Sequence, residues 1–121
     1  MDNLRFAYLG DAVYELYIRK YLIDKLDIKK VKDLQETAIK YVSAKSQVRI
    51  LEKLINDNVL TEEEQDIVRQ GRNASSHSSK STDIITYKKS TGFECLIGYL
   101  YKNDIERCNY LLDYIVGNEL W

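Results

Sequence analysis

The chain has 121 residues, no proline, five glycines, ten tyrosines and 45% hydrophobic residues. That length fits one domain spanning residues 1–121 with a real core, and so few turn-forming residues exclude a turn-rich β-sandwich or a flexible linker. Eighteen Lys+Arg against nineteen Asp+Glu leave a net charge of −1, so bulk charge announces no nucleic-acid partner.

Residues 3–22 read as a first helix, because Leu4, Ala7, Tyr8, Leu9, Ala12, Val13, Leu16, Tyr17 and Ile18 recur at helical intervals. They cover more than one narrow stripe, which predicts a central helix packed on two sides. Asp27 to Lys32 form a polar connector, and a second helix covers 32–41. Ser43 is a suitable N-cap for a third helix, which carries Val48, Leu51, Leu54 and Ile55 on its apolar side. Thr61 and Glu64 have the spacing of a capping box, with Glu62 and Glu63 favourably placed at a helix N-terminus. This fourth helix is expected to end near Gly71. Residues 71–82, GRNASSHSSKST, show no periodicity and read as a long loop, a feature that is more often functional than decorative. Helical spacing returns over 86–101 with Phe93, Leu96, Ile97 and Leu100. Asp104 caps a last helix to about Val116, stopped by Gly117. The expected fold is an all-α helical bundle.

No run approaches the roughly eighteen apolar residues of a membrane span, and the N-terminus lacks a signal-peptide pattern. A soluble, cytoplasmic protein with no membrane partner is expected. Cys95 and Cys108 are too few for a disulfide framework and lack metal-ligand spacing; both read as buried small hydrophobes. His77 is the only histidine, so a histidine-based metal site is excluded.

Three groups of residues could carry chemistry. Asp11 lies on a mostly apolar helix face with Leu4, Ala7, Ile18 and Leu22, so its carboxylate must be paired with Arg or Lys, protonated, metal-bound or near a rim. Glu94 lies among Phe93, Leu96 and Ile97, with Thr91 and Gly98 on its own face. Glycine inside a helix costs roughly 1 kcal/mol against alanine, so Gly98, and Gly10 beside Asp11, suggest a close helix crossing. Such a crossing would present Asp11 and Glu94 to one point, an arrangement that suits a hard divalent cation such as Mg²⁺. Two unrelated helix acids remain the alternative. The third group is basic. Arg69, Arg72, Lys80, Lys88 and Lys89 stand between 69 and 89 against Asp83 alone, among Asn73, His77, Tyr87 and a run of hydroxyls. They suit phosphate and sugar contacts, although a solvated loop would look the same. Tyr8, Tyr14, Tyr17 and Tyr21 could stack on bases, but their spacing on one helix favours core or subunit interface.

The segment Tyr8-Leu9-Gly10-Asp11-Ala12-Val13-Tyr14-Glu15-Leu16 resembles the signature of the ribonuclease III catalytic domain. Phe93 to Tyr101, FECLIGYLY, is similar to that domain's second acidic motif, in the right order and about eighty residues on. Val42 to Gln47, Glu62 to Glu64, Arg69 to Ala74 and Thr82-Asp83 resemble the Mini-ribonuclease III family, whose members lack a double-stranded-RNA-binding domain. The resemblance spans essentially the whole chain.

It implies a homodimeric, Mg²⁺-dependent endoribonuclease that cleaves double-stranded RNA, with Mn²⁺ as a substitute metal. Asp11 matches the catalytic aspartate and Glu94 the metal-binding glutamate. The implied substrate is precursor 23S ribosomal RNA, cut to 5′-phosphate and 3′-hydroxyl ends, with ribosomal proteins or the pre-ribosome as further partners. Further acids of full-length ribonuclease III are replaced here by Leu4, Ala7 and Thr91, which leaves few protein ligands for metal. Arg72, Asn73, Lys80 and Lys88, then Lys45, are the expected RNA-binding residues, and Tyr14 and Tyr21 are expected at the dimer interface. A non-catalytic RNA-binding module and a plain helical dimerisation module are the competing readings.

Overall fold

The computed structural model describes residues 2–75 and 83–121, and among them all regular structure is helical. In chain order the helices are α1 (Asn3–Asp24), α2 (Val31–Val42), α3 (Ala44–Asn56), α4 (Glu62–Ala74), α5 (Ile84–Asn103) and α6 (Ile105–Gly117). Their starts are written in the sequence. Asp2, Ser43, Thr61, Asp83 and Asp104 each accept a hydrogen bond from a backbone N–H of the following first turn, which satisfies donors that a helix N-terminus otherwise leaves open. The connectors before α2 and α4 turn through Asp27 and Asn58, with φ of 54° and 57°, a left-handed backbone that Asp and Asn tolerate better than most residues.

The central helix is α5, not α1. Nine consecutive or near-consecutive residues from Ser90 to Leu100 are buried on α5, which packs against α1, α3, α4 and α6. Helix α1 buries a single face of Ala7, Gly10, Tyr14, Ile18 and Leu22. Phe6, Val13, Tyr17 and Tyr21 pack half-buried at its edges, while Leu4, Tyr8, Leu16 and Ile23 stay exposed. A helix with apolar residues all round is ordinarily buried on both sides, so the surplus here marks a surface that the folded chain does not cover.

Two further expectations change for physical reasons. Helix α4 does not stop at Gly71 but runs to Ala74. Gly71 is a packing residue, since a Cβ there would lie 2.6 Å from the Cβ of Cys95, while a Cβ on Gly92 would lie 2.6 Å from the Val68 carbonyl oxygen. Tyr14 is 1% exposed and belongs to the core. Its ring meets Phe93 edge-on at 5.3 Å and its hydroxyl donates to the Tyr41 carbonyl at 2.9 Å. Tyr21 is half-buried and packs on Tyr41 and Trp121. Tyr14 is therefore not available to a dimer interface, whereas Tyr21 keeps part of its surface exposed.

The α4–α6 contact is tied by an ion pair. Glu64 Oε1 closes the capping box by accepting from the Thr61 N–H at 2.9 Å. The Arg107 guanidinium then donates to both Glu64 oxygens at 2.8 Å and to the Val59 carbonyl at 2.7 Å. Burial acts to raise the Glu64 pKa, but these hydrogen bonds and the Arg107 charge outweigh it and hold the carboxyl below its ordinary value.

Candidate active site

The site is built on the crossing of α1 and α5. A Cβ on Gly10 would sit 1.8 Å from the Glu94 carbonyl oxygen, and one on Gly98 would sit 1.9 Å from the Phe6 carbonyl oxygen. Only hydrogen fits in either place. The two backbones therefore touch, and Asp11, next to Gly10, is carried to the turn of α5 that bears Glu94. The two carboxyl groups come within hydrogen-bonding reach of each other. Asp11 stands at the exposed rim and Glu94 is half-buried behind it.

Glu94 is in an unfavourable position for a charge. Burial, followed by its hydrogen bond and repulsion with Asp11, pushes its pKa up to about 8, opposed by a hydrogen bond from Gln47. Among the described residues neither acid forms a salt bridge with Lys or Arg. The described residues thus give Asp11 no Lys or Arg partner. Glu15 does take that role, pairing with Arg19 at 3.7 Å on the surface.

Two converging carboxyl groups without a Lys or Arg salt bridge among the described residues are a suitable donor set for a hard divalent ion, whose remaining positions water and phosphate oxygens can fill. No third acid completes the set, since the described residues contain no group of three or more His, Cys, Asp or Glu placed to hold a metal. The positions of the missing acids show why. Ala7 is buried in the core, Leu4 lies exposed, and the Thr91 hydroxyl is spent on the Tyr87 carbonyl of its own helix at 2.9 Å.

Gln47 is the participant that residue patterns did not single out. It lies in the first turns of α3, 2% exposed, and its Nε2 donates to Glu94 Oε2 at 3.3 Å and to the Val42 carbonyl at 3.2 Å. A glutamine among Val48, Ile50 and Leu51 was the available signal, as a buried polar side chain needs a partner.

The basic residues are dispersed around this centre. Lys45 is exposed on the first turn of α3, and Lys88 is half-buried near the start of α5. Arg72 and Asn73 are exposed at the end of α4. Arg72, Arg69 and Lys89 line one small basin with Leu51, Ile55, Gln65, Val68 and the single acid Glu52, although Arg69 also pairs with Asp66. Lys89, rather than Lys88, is thus the α5 lysine brought to Arg72. Lys80 and His77 lie outside the described residues. No helix among the described residues is long and apolar enough to cross a membrane.

Comparison with known proteins fixes the class. Residues 4–104 match the Ribonuclease III domain family, so the bundle is that of a ribonuclease III-type nuclease. Mini-ribonuclease 3 of Streptococcus pneumoniae is 42% identical over 118 residues, spanning 96% of this chain and 91% of the relative. The Staphylococcus aureus protein of that name is 46% identical over 96% of this chain and 87% of its own length. The Symbiobacterium thermophilum one is 50% identical over 84% and 76%. A crystal structure of a protein from Fusobacterium nucleatum has a TM-score of 0.81 at 31% identity, covering 98% of this chain and 93% of that one. The chain belongs to the Mini-ribonuclease III family of the ribonuclease III domain and is an endoribonuclease.

Proposed function

We propose that this endoribonuclease hydrolyses double-stranded RNA at a divalent-metal site formed by Asp11 and Glu94, and that it matures the ends of precursor 23S ribosomal RNA in the cytoplasm. The meeting of two carboxyl groups at the Gly10–Gly98 crossing, with no Lys or Arg salt bridge to either among the described residues, is the observation that carries the reading. Mg²⁺ is the ion of choice and Mn²⁺ its substitute, because both accept oxygen ligands and both leave positions for water and phosphate. When bound, the ion supplies Lewis-acid polarisation of the scissile phosphate and a lowered pKa for water.

The chain's own part is placement and charge. Asp11, at the rim, faces the substrate side, and Glu94 holds the inner side of the same point. Attack by water joins its oxygen to phosphorus and breaks the P–O3′ bond, with a proton passing to the departing 3′ oxygen. The products are a 5′-phosphate and a 3′-hydroxyl. Arg72, Asn73, Lys88, Lys89 and Lys45 are the described residues suited to phosphate contacts, and Lys80 remains a further proposed contact. These groups position a duplex without reading its sequence.

A second copy of the chain completes the picture. The two strands of a duplex are related by a local dyad, which a C2 homodimer with one site per subunit matches. The exposed face of α1, with Tyr8 86% and Leu16 68% exposed beside Leu4 and Ile23, replaces Tyr14 as the surface for that contact. Ribosomal proteins or the pre-ribosome would present the substrate.

The test is an end-labelled RNA duplex incubated with Mg²⁺, with EDTA, and with the Asp11→Asn protein. Discrete Mg²⁺-dependent products bearing 5′-phosphates, absent from the EDTA and Asp11→Asn lanes, are expected. Cleavage retained by Asp11→Asn would defeat the site assignment.

A further inference from the structure

We infer that Gln47 is a positioning residue of the active site, holding the inner carboxylate Glu94 in place through Nε2. The inference rests on the reading of Asp11 and Glu94 as metal ligands and adds a third helix to it.

The orientation of the amide follows from its surroundings. One end of the Gln47 side chain lies within 3.3 Å of Glu94 Oε2 and 3.2 Å of the Val42 carbonyl oxygen. Both neighbours are acceptors, so that end must be the NH₂; a flipped amide would set three oxygens against one another. The consequence falls on the other end. Gln47 Oε1 is the one buried side-chain nitrogen or oxygen without a hydrogen-bond partner among the described residues. A leucine or methionine at a position 2% exposed would carry no such penalty. The chain thus tolerates an open acceptor to keep one N–H donor against Glu94.

The shared Nε2 shows what that donor does: held by the Val42 carbonyl, it ties Glu94 Oε2 to the start of α3 and so fixes the carboxylate from a third helix. Capping fixes where the donor stands. Ser43 Oγ accepts from the Ser46 N–H at 3.3 Å and the Ser43 carbonyl from the Gln47 N–H at 3.0 Å, so the first turn of α3 is anchored on Ser43 up to the glutamine itself. A ligand carboxylate held by an outer hydrogen bond enters metal binding already oriented, and loss of such a partner typically costs about 10–100-fold in affinity.

Mn²⁺ binding to the full chain, read by electron paramagnetic resonance without RNA, tests this. Four proteins are compared: wild type, Asp11→Asn, Gln47→Met and Gln47→Asn. Methionine keeps the length and removes the donor; asparagine keeps the amide but withdraws it by one methylene, and serves if the methionine protein does not fold. The expected result is Mn²⁺ affinity at least about tenfold weaker for both Gln47 variants, thermal stability near that of wild type, and a raised Mg²⁺ requirement for cleavage with KM for duplex unchanged. Wild-type Mn²⁺ affinity in the Gln47 variants would overturn the positioning role alone, even if their stability fell. Failure of the wild type itself to bind Mn²⁺, leaving it indistinguishable from Asp11→Asn, would overturn the metal-site reading and this inference together.

Discussion

Two glutamates on neighbouring helices occupy comparable places and have opposite fates. Glu64, on α4, meets Arg107 and the Thr61 N–H, and its pKa is held down. Glu94, on α5, meets Asp11, and its pKa is driven up. The first carboxylate is finished: each oxygen has a donor, and the pair joins two helices. The second lacks such a partner, because its helix crossing sets it against another carboxyl group, where the proposed function would place a cation. Stability is built at one carboxylate and withheld at the other, which is the usual trade at a functional site.

The sharpest contrast is in activity. Glu94→Gln is expected to reduce cleavage by roughly three orders of magnitude. Glu64→Gln, measured at a temperature where it remains folded, should keep the wild-type rate; equal losses would erase the distinction between the two acids. The next effect concerns the crossing that creates the difference. Gly98→Ala drives a Cβ into the Phe6 carbonyl and should destabilise by about 3 kcal/mol or more. Gly117, with nothing within 4 Å of its would-be Cβ, should accept alanine without loss. Urea melts of the two variants would separate a packing glycine from a merely terminal one.

Glu64→Gln itself should cost roughly 3 kcal/mol, since it leaves Arg107 partly buried without its counter-charge. The pH dependence has a sign. A carboxyl whose pKa is lower in the folded than in the unfolded chain stabilises fully above the unfolded value, and the benefit is lost as pH falls through the folded value. Melting temperature should therefore drop on acidification, and less so in Glu64→Gln. Glu94 acts in reverse. Its raised pKa makes the metal-free fold lose stability as pH rises from the ordinary carboxyl value toward the raised one, a trend that Asp11→Asn should blunt in EDTA. Smallest is the effect of the basic basin. Arg72→Ala with Lys89→Ala should weaken duplex binding about tenfold or less and lower the salt slope by about one for each phosphate no longer neutralised. An unchanged slope would remove the basin from the RNA path.

Much of this was legible in the residues. The caps at Ser43, Thr61, Asp83 and Asp104 have short-range causes; Ser43, Thr61 and Asp104 were readable as caps, and Gly10 and Gly98 were readable as a crossing because glycine inside a helix has few other reasons to be there. What one helix does to another was harder. Gly71 looked like a stop because the chain after it is polar, whereas its reason lies on α5 at Cys95. Tyr14 and Leu16 are both apolar residues of α1, and periodicity alone did not say that the first fills the core and the second faces outward. Arg107 as partner of Glu64, and Gln47 as partner of Glu94, are 43 and 47 residues from the acids they serve. No local pattern encodes such pairs.

In the reading proposed, the Asp11–Glu94 crossing resists a charged Glu94 until a divalent ion binds, and above the raised pKa of about 8 the two carboxylates repel each other. Thermal melts of wild type and Asp11→Asn, each in EDTA and in Mg²⁺, test it most directly. At a pH above the raised Glu94 value, Mg²⁺ is expected to raise the wild-type midpoint, Asp11→Asn to melt a few degrees higher than wild type in EDTA, corresponding to about 1 kcal/mol, and Mg²⁺ to add nothing further to the variant. An Asp11→Asn protein no more stable than wild type in EDTA, and raised by Mg²⁺ as much as wild type, would contradict it.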